Sequence, residues 1–173
     1  MLLCLVTGQR CQTIHLIDIN HIQILPGRCR ITILHRHEHT KVGKHQSPLD
    51  LLSYTKDKEV CVVEHLKEYI SRTKPIRKQE CQLLISHVKP HKAVSMNTIA
   101  RWVKQVLAEA GIDNMFTAHS SRAASTSHYH FQGLNLNEIM KSAGWSNINT
   151  FATFYNKPIL VENFGSKILD TIS

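Results

Sequence analysis

Three absences narrow the field first. The five cysteines, Cys4, Cys11, Cys29, Cys61 and Cys81, are an odd number with no CxxC pair, which argues against a disulfide framework and against a zinc ribbon or finger and fits a reducing compartment. No stretch stays apolar for the length that a membrane span needs. The opening run Met1 to Thr7 is apolar, but it lacks a basic flank and breaks at Gly8-Gln9-Arg10, too soon for a signal peptide. Internal repeats and low-complexity linkers are also missing. Acidic residues are scarce: 13 against 21 Lys and Arg give a formal charge of +8, which favours a polyanionic partner because Lys and Arg on phosphates release counterions.

What remains is the composition of one folded domain, 173 residues with 42% hydrophobic and 20% charged. A chain that begins at once on a buried-looking run is expected to be a fragment of a larger protein. Leu2 to Ile19 reads as one buried helix or two short ones. Pro26-Gly27 marks a turn, Cys29 to Leu34 a strand, and a polar connection leads to a second extended piece near Gln46 to Leu49, together a small antiparallel hairpin. Val60 to Ser71 carries the spacing of an amphipathic helix, and Leu83 to Ile85 is a short strand-like run. Ser95 caps a helix over Met96–Ala110, with Ile99, Trp102, Val103, Val106 and Leu107 on one stripe. Helices follow from Thr117 to about Gln132 and from Asn135 to Gly144, and a last turn or two spans Thr150 to Tyr155 before Pro158. The sum is an α+β fold, mainly helical, with a small antiparallel sheet near its N-terminal side.

The residues that carry chemistry are Arg10, then His119-Ser120-Ser121-Arg122, then Gly144-Trp145-Ser146, then Phe154-Tyr155-Asn156. His119 and Arg122 stand one helical turn apart and can face a common anion. Each piece also has a plain structural reading: a helix-end histidine with a surface arginine, Trp102 and Trp145 in the core, and Tyr155 in an aromatic stripe with Phe151 and Phe154. His35, His37 and His39 alternate and, with His45, offer a metal set on one strand face. The simpler reading of that segment is a charged, solvated hairpin.

In their order, these pieces resemble the tyrosine recombinase and phage integrase family. Thr7-Gly8-Gln9-Arg10 is similar to its Thr-Gly-x-Arg helix, Thr117 to Arg122 to its His-x-x-Arg box, and Gly144-Trp145-Ser146 with Phe151 to Tyr155 to the segment leading to its nucleophile. Val88-Lys89-Pro90-His91-Lys92 and Phe154-Tyr155-Asn156-Lys157-Pro158 are similar to recombinases of eukaryotic mobile elements of the DIRS type. The resemblance implies the family's catalytic-domain fold over residues 1–158, without the core-binding domain that precedes it. It implies a tail at 159–173 that docks on another subunit, double-stranded DNA as partner, a homo-multimer on DNA and an intracellular, nuclear setting.

The implied activity is DNA cleavage and rejoining through a 3′-phosphotyrosyl link to Tyr155, with Arg10, His119, Arg122 and Trp145 around the phosphate and no metal, ATP or other cofactor. A hairpin lysine protonates the leaving 5′-oxygen. Here Glu38 falls at the lysine's place when the segment is aligned on Gly43, and Lys41 is the residue assigned in its stead, with Lys44 as the other choice. Two further departures are Thr13, where an acidic residue often follows the arginine, and a Trp145–Tyr155 interval one residue longer than in many bacterial members. A decayed or domesticated recombinase, binding DNA or protein without cleavage, is the competing reading. Without a core-binding domain, low affinity with steep salt dependence is expected.

Overall fold

A computed structural model of the chain describes residues 1–34, 47–145 and 147–157. Its architecture is mainly helical with one small sheet, as the sequence predicts. Helix α1 (Leu2–Thr7) ends at Gly8, whose φ of 61° is left-handed and whose N–H closes on the Cys4 carbonyl at 3.0 Å. Arg10 is extended and opens α2 (Cys11–His15), so the chain turns sharply between the two and leaves Arg10 exposed.

Gly8 is needed there for two reasons. Its φ disfavours any side chain, and a Cβ would meet Thr126 Cγ2 at 3.0 Å. Gly8→Ala is therefore expected to lower unfolding free energy by about 2 kcal/mol. Denaturant titration checks this; a change within about 0.5 kcal/mol would show that the turn relaxes freely.

The sheet is antiparallel, in the order β1 (Ile22–Leu25), β2 (Arg28–Ile31), β3 (Leu49–Leu52). Strand alternation puts Cys29, Ile31, Leu49 and Leu51 into the core and leaves Arg30 and Asp50 paired on the outer face, 2.8 Å apart. This differs from the expected hairpin in two places. Pro26-Gly27 is the loop of a β1–β2 hairpin whose first strand went unread, because Ile22, Ile24 and Leu25 do not alternate cleanly with polar residues. The second extended piece begins at Leu49 rather than ending there, since it is the buried Leu49 and Leu51 that pair with Ile31 and Cys29.

Helix α3 (Val62–Thr73) starts two residues later than the periodicity suggests, because Lys58–Val60 forms a 3₁₀ turn and Cys61 takes the cap position. Leu83 to Ile85 joins the core with a single bridge to Ala93 rather than a strand. Helix α4 (Met96–Glu109) has Ser95 as N-cap, its hydroxyl accepting from the Thr98 amide at 3.2 Å. Ile99, Val103 and Leu107 are buried, whereas Trp102 is only partly so and Val106 is exposed.

Helix α5 (Ala118–Phe131) begins with a capping box: Thr117 accepts from the His119 amide and Ser120 from the Thr117 amide. Helix α6 (Leu136–Ala143) is capped by Asn135 and ended by Gly144 at φ 69°. A short α7 (Ile148–Thr150) runs into a π-helical turn, Phe151–Tyr155, in which the Asn156 amide closes on the Phe151 carbonyl.

Two apolar clusters result. The larger joins α1 to α4 and the sheet; the smaller gathers Ile139, Ala143, Trp145, Phe151 and Tyr155. Helix α5 runs between them with a buried face that is unusually polar: Ser121, Arg122, Ser125, Thr126 and Ser127. Among the described residues, no helix is long and apolar enough to cross a membrane.

Candidate active site

The polar face of α5 is where the predicted residues converge. Arg122 is 1% exposed, and its guanidinium donates through Nη1 to the Gly8 carbonyl at 2.5 Å and through Nη2 to the Ala143 carbonyl at 2.8 Å. One side chain therefore ties the α1–α2 turn to the end of α6. The same guanidinium lies over the Trp145 ring at 4.4 Å and the Tyr155 ring at 5.3 Å. The two rings stand 4.5 Å apart. Burial foremost, and then the charge of Arg10, lower the Arg122 pKa to about 10, which still leaves it charged at neutral pH.

The Tyr155 ring is buried, yet its hydroxyl reaches His119 Nε2 at 2.6 Å. Burial, then Arg122 and Arg10, hold His119 below the ordinary histidine value of 6.5. A neutral imidazole beside a phenol is an arrangement that can take the phenol's proton.

Among the described residues, two buried side-chain nitrogens have no hydrogen-bond partner, Arg122 Nε and Trp145 Nε1. Both belong to this cluster. An unpaired buried donor costs free energy, so the two together leave this cluster with unused hydrogen-bonding capacity.

Beside them is an open cavity of about 510 Å³, lined by Arg10, Arg101, Lys104, Thr117, His119 and Arg122 among others and, among the described residues, by no carboxylate. Such a surface suits an anion. Arg10, His119, Arg122, Trp145 and Tyr155 are thus brought together as the sequence predicts. The shared-face expectation needs refinement: His119 turns to the phenol, while Arg122 goes into the core with its terminal nitrogens held by carbonyls. Lys41 and Lys44, and His35, His37, His39 and His45 with the proposed metal set, lie outside the described residues, as do Ser146 and the tail from Pro158. Elsewhere, no group of three or more potential metal ligands occurs among the described residues.

Sequence reading missed several contributors. Asn97, Arg101 and Lys104 follow i, i+4, i+7 spacing on the polar side of α4 and were legible as a strip. Gln9, whose amide donates to the Ser142 carbonyl, and Tyr129, whose hydroxyl reaches the Val6 carbonyl at 3.2 Å, carry no local signal because their partners lie more than a hundred residues away.

The phage integrase family model matches residues 1–158. The chain belongs to the phage integrase family. Solved structures agree in fold with this family member: XerA recombinase at TM-score 0.68 and 15% identity, over 96% of this chain and 52% of that one. XerH site-specific recombinase bound to its difH substrate, a pre-cleavage complex, gives 0.67 and 15%, over 99% and 45%. A lambda integrase dimer bound to a COC′ core site gives 0.56 and 17%, over 94% and 43%. The family member thus spans about half the length of these structures. No curated protein matches its sequence.

Proposed function

We propose that this chain carries the strand-cleaving site of a DNA recombinase, with Tyr155 as nucleophile. The observation that carries the reading is the pair of orphaned buried donors, Arg122 Nε and Trp145 Nε1, around a phenol that is hydrogen-bonded to a neutral histidine. In the proposed reaction the Tyr155 oxygen bonds to the scissile phosphorus as the P–O5′ bond breaks, and the phenolic proton passes to His119 Nε2. Arg10, Arg122 and Trp145 donate to the non-bridging oxygens, where preorganised donors are worth on the order of 10²–10³ in rate each. Lys41, in the segment outside the described residues, is the assigned proton donor to the 5′-oxygen. The phosphotyrosyl link conserves the bond energy, so a 5′-hydroxyl reverses the step without ATP.

The solved relatives bound to DNA, among them a lambda integrase tetramer on a Holliday junction, support duplex DNA as substrate and a multimer on it. The tail 159–173 is proposed as the segment that joins neighbouring copies. The test is incubation with nicked duplexes that trap the intermediate: a denaturation-resistant protein–DNA adduct supports the reading. DNA binding with no adduct across a broad substrate library favours a module that has lost cleavage.

Two expectations follow from the charges. A neutral His119 makes the adduct rate level above pH 6.5 and decreasing as pH drops below it, because a lowered pKa puts protonation on the acid side. In His119→Gln this acid limb disappears from the pH–rate profile; its persistence would assign the titration to another group. DNA affinity falls steeply with salt, and Arg101→Ala or Lys104→Ala each reduces the log–log salt slope by about 1 if they neutralise phosphates. Unchanged slopes would take the α4 strip out of the interface.

A further inference from the structure

We propose that Ser127 is a positioning residue that fixes Tyr155 for attack, an inference resting on the reading of Tyr155 as nucleophile. Ser127 is 4% exposed on α5, and its hydroxyl is committed to a segment 28 residues further on. It donates to the Tyr155 carbonyl and accepts the Lys157 amide at 2.9 Å. Those two groups are the ends of a tight turn centred on Asn156, whose φ of −79° and ψ of 78° make it an inverse γ-turn, closed by the Lys157 amide on the Tyr155 carbonyl at 3.0 Å. One hydroxyl therefore clasps both sides of the turn that directly follows the phenol-bearing residue.

Its neighbours show why this is unusual. A buried serine or threonine within a helix ordinarily bonds back to a carbonyl three or four residues earlier. Ser125 and Thr126 do so, both to the Arg122 carbonyl, at 3.1 and 2.8 Å. Ser127 alone of the three reaches across to another segment.

Tyr155 ends a π turn, a form that is rare and frequent at functional sites. Such a turn closes with one residue more than an α turn. With its hydroxyl on His119 and its carbonyl on Ser127, Tyr155 is held at both ends by α5, the helix that also carries Arg122. Donor and nucleophile geometry are thereby set by one rigid element.

The test compares wild type with Ser127→Ala and Ser127→Thr by two measurements: amide hydrogen exchange at Lys157, and adduct rate on saturating nicked DNA alongside DNA affinity. In Ser127→Ala, Lys157 exchange accelerates and the adduct rate falls by about 10²-fold, the cost of an ångström-scale misplacement. DNA affinity stays within about twofold, because the phosphate donors are untouched. Ser127→Thr, which keeps the hydroxyl, restores both. If Ser127→Ala does not fold, Ser127→Cys, with its weaker donor and acceptor, carries the comparison.

Unchanged Lys157 exchange, or an adduct rate within about twofold of wild type, overturns the proposal. If wild type forms no adduct, strand cleavage falls independently of the clasp. Lys157 exchange then decides the clasp alone: acceleration in Ser127→Ala retains it, and unchanged exchange removes it.

Discussion

Arg122→Ala is expected to lower unfolding free energy by about 3–5 kcal/mol and to abolish the DNA adduct. The stability loss arises because the guanidinium is the donor to two buried carbonyls, Gly8 and Ala143, in segments far apart in sequence. Its removal orphans both, at about 1–3 kcal/mol each, and opens a space beneath the Trp145 ring. Arg122→Lys separates structure from chemistry. The charge remains, but one ammonium has no planar fork to serve both carbonyls and a phosphate, so the adduct rate drops by about 10²–10³ while less stability is lost. Urea titration of both variants checks the account. A cost under about 1 kcal/mol for Arg122→Ala would mean that the arginine is not the tie between the α1–α2 turn and α6.

Tyr155→Phe is expected to act in the opposite way, leaving the fold and removing the activity. The ring keeps its contacts with Trp145 and Arg122, and what is lost is the hydroxyl's interactions, foremost the 2.6 Å hydrogen bond to His119, so stability changes by no more than about 1 kcal/mol. With no oxygen to form the phosphotyrosyl bond, the adduct rate falls by at least ~10⁴. DNA affinity persists, since the phosphate donors are intact. Tyr155→Ala is a poorer test, because emptying a buried aromatic site costs stability as well.

These two variants also show where the sequence was legible. The order Arg10, His119, Arg122, Trp145, Tyr155 was readable only through its resemblance to the family's ordered motifs, and the structure places these side chains together. Helix limits at Ser95, Thr117, Asn135 and Gly144 are readable because capping is local.

Arg122 as a buried tie, and Ser127 as a clasp, are not readable, because a polar residue on a helix looks like surface until its distant partners are known. Strand β1 was missed for a related reason: its two faces are decided by the paired strand rather than by its own alternation. The π turn that ends at Tyr155 is likewise announced by no local pattern.

The most direct measurement is the identity of the residue that carries DNA. The adduct formed on a nicked duplex is trapped, digested, and its nucleotide-bearing peptide sequenced by mass spectrometry. The account predicts a single modified peptide, with a 3′-phosphoryl nucleotide on Tyr155. An adduct on Tyr54, Tyr69 or Tyr129, or on a serine, would contradict it.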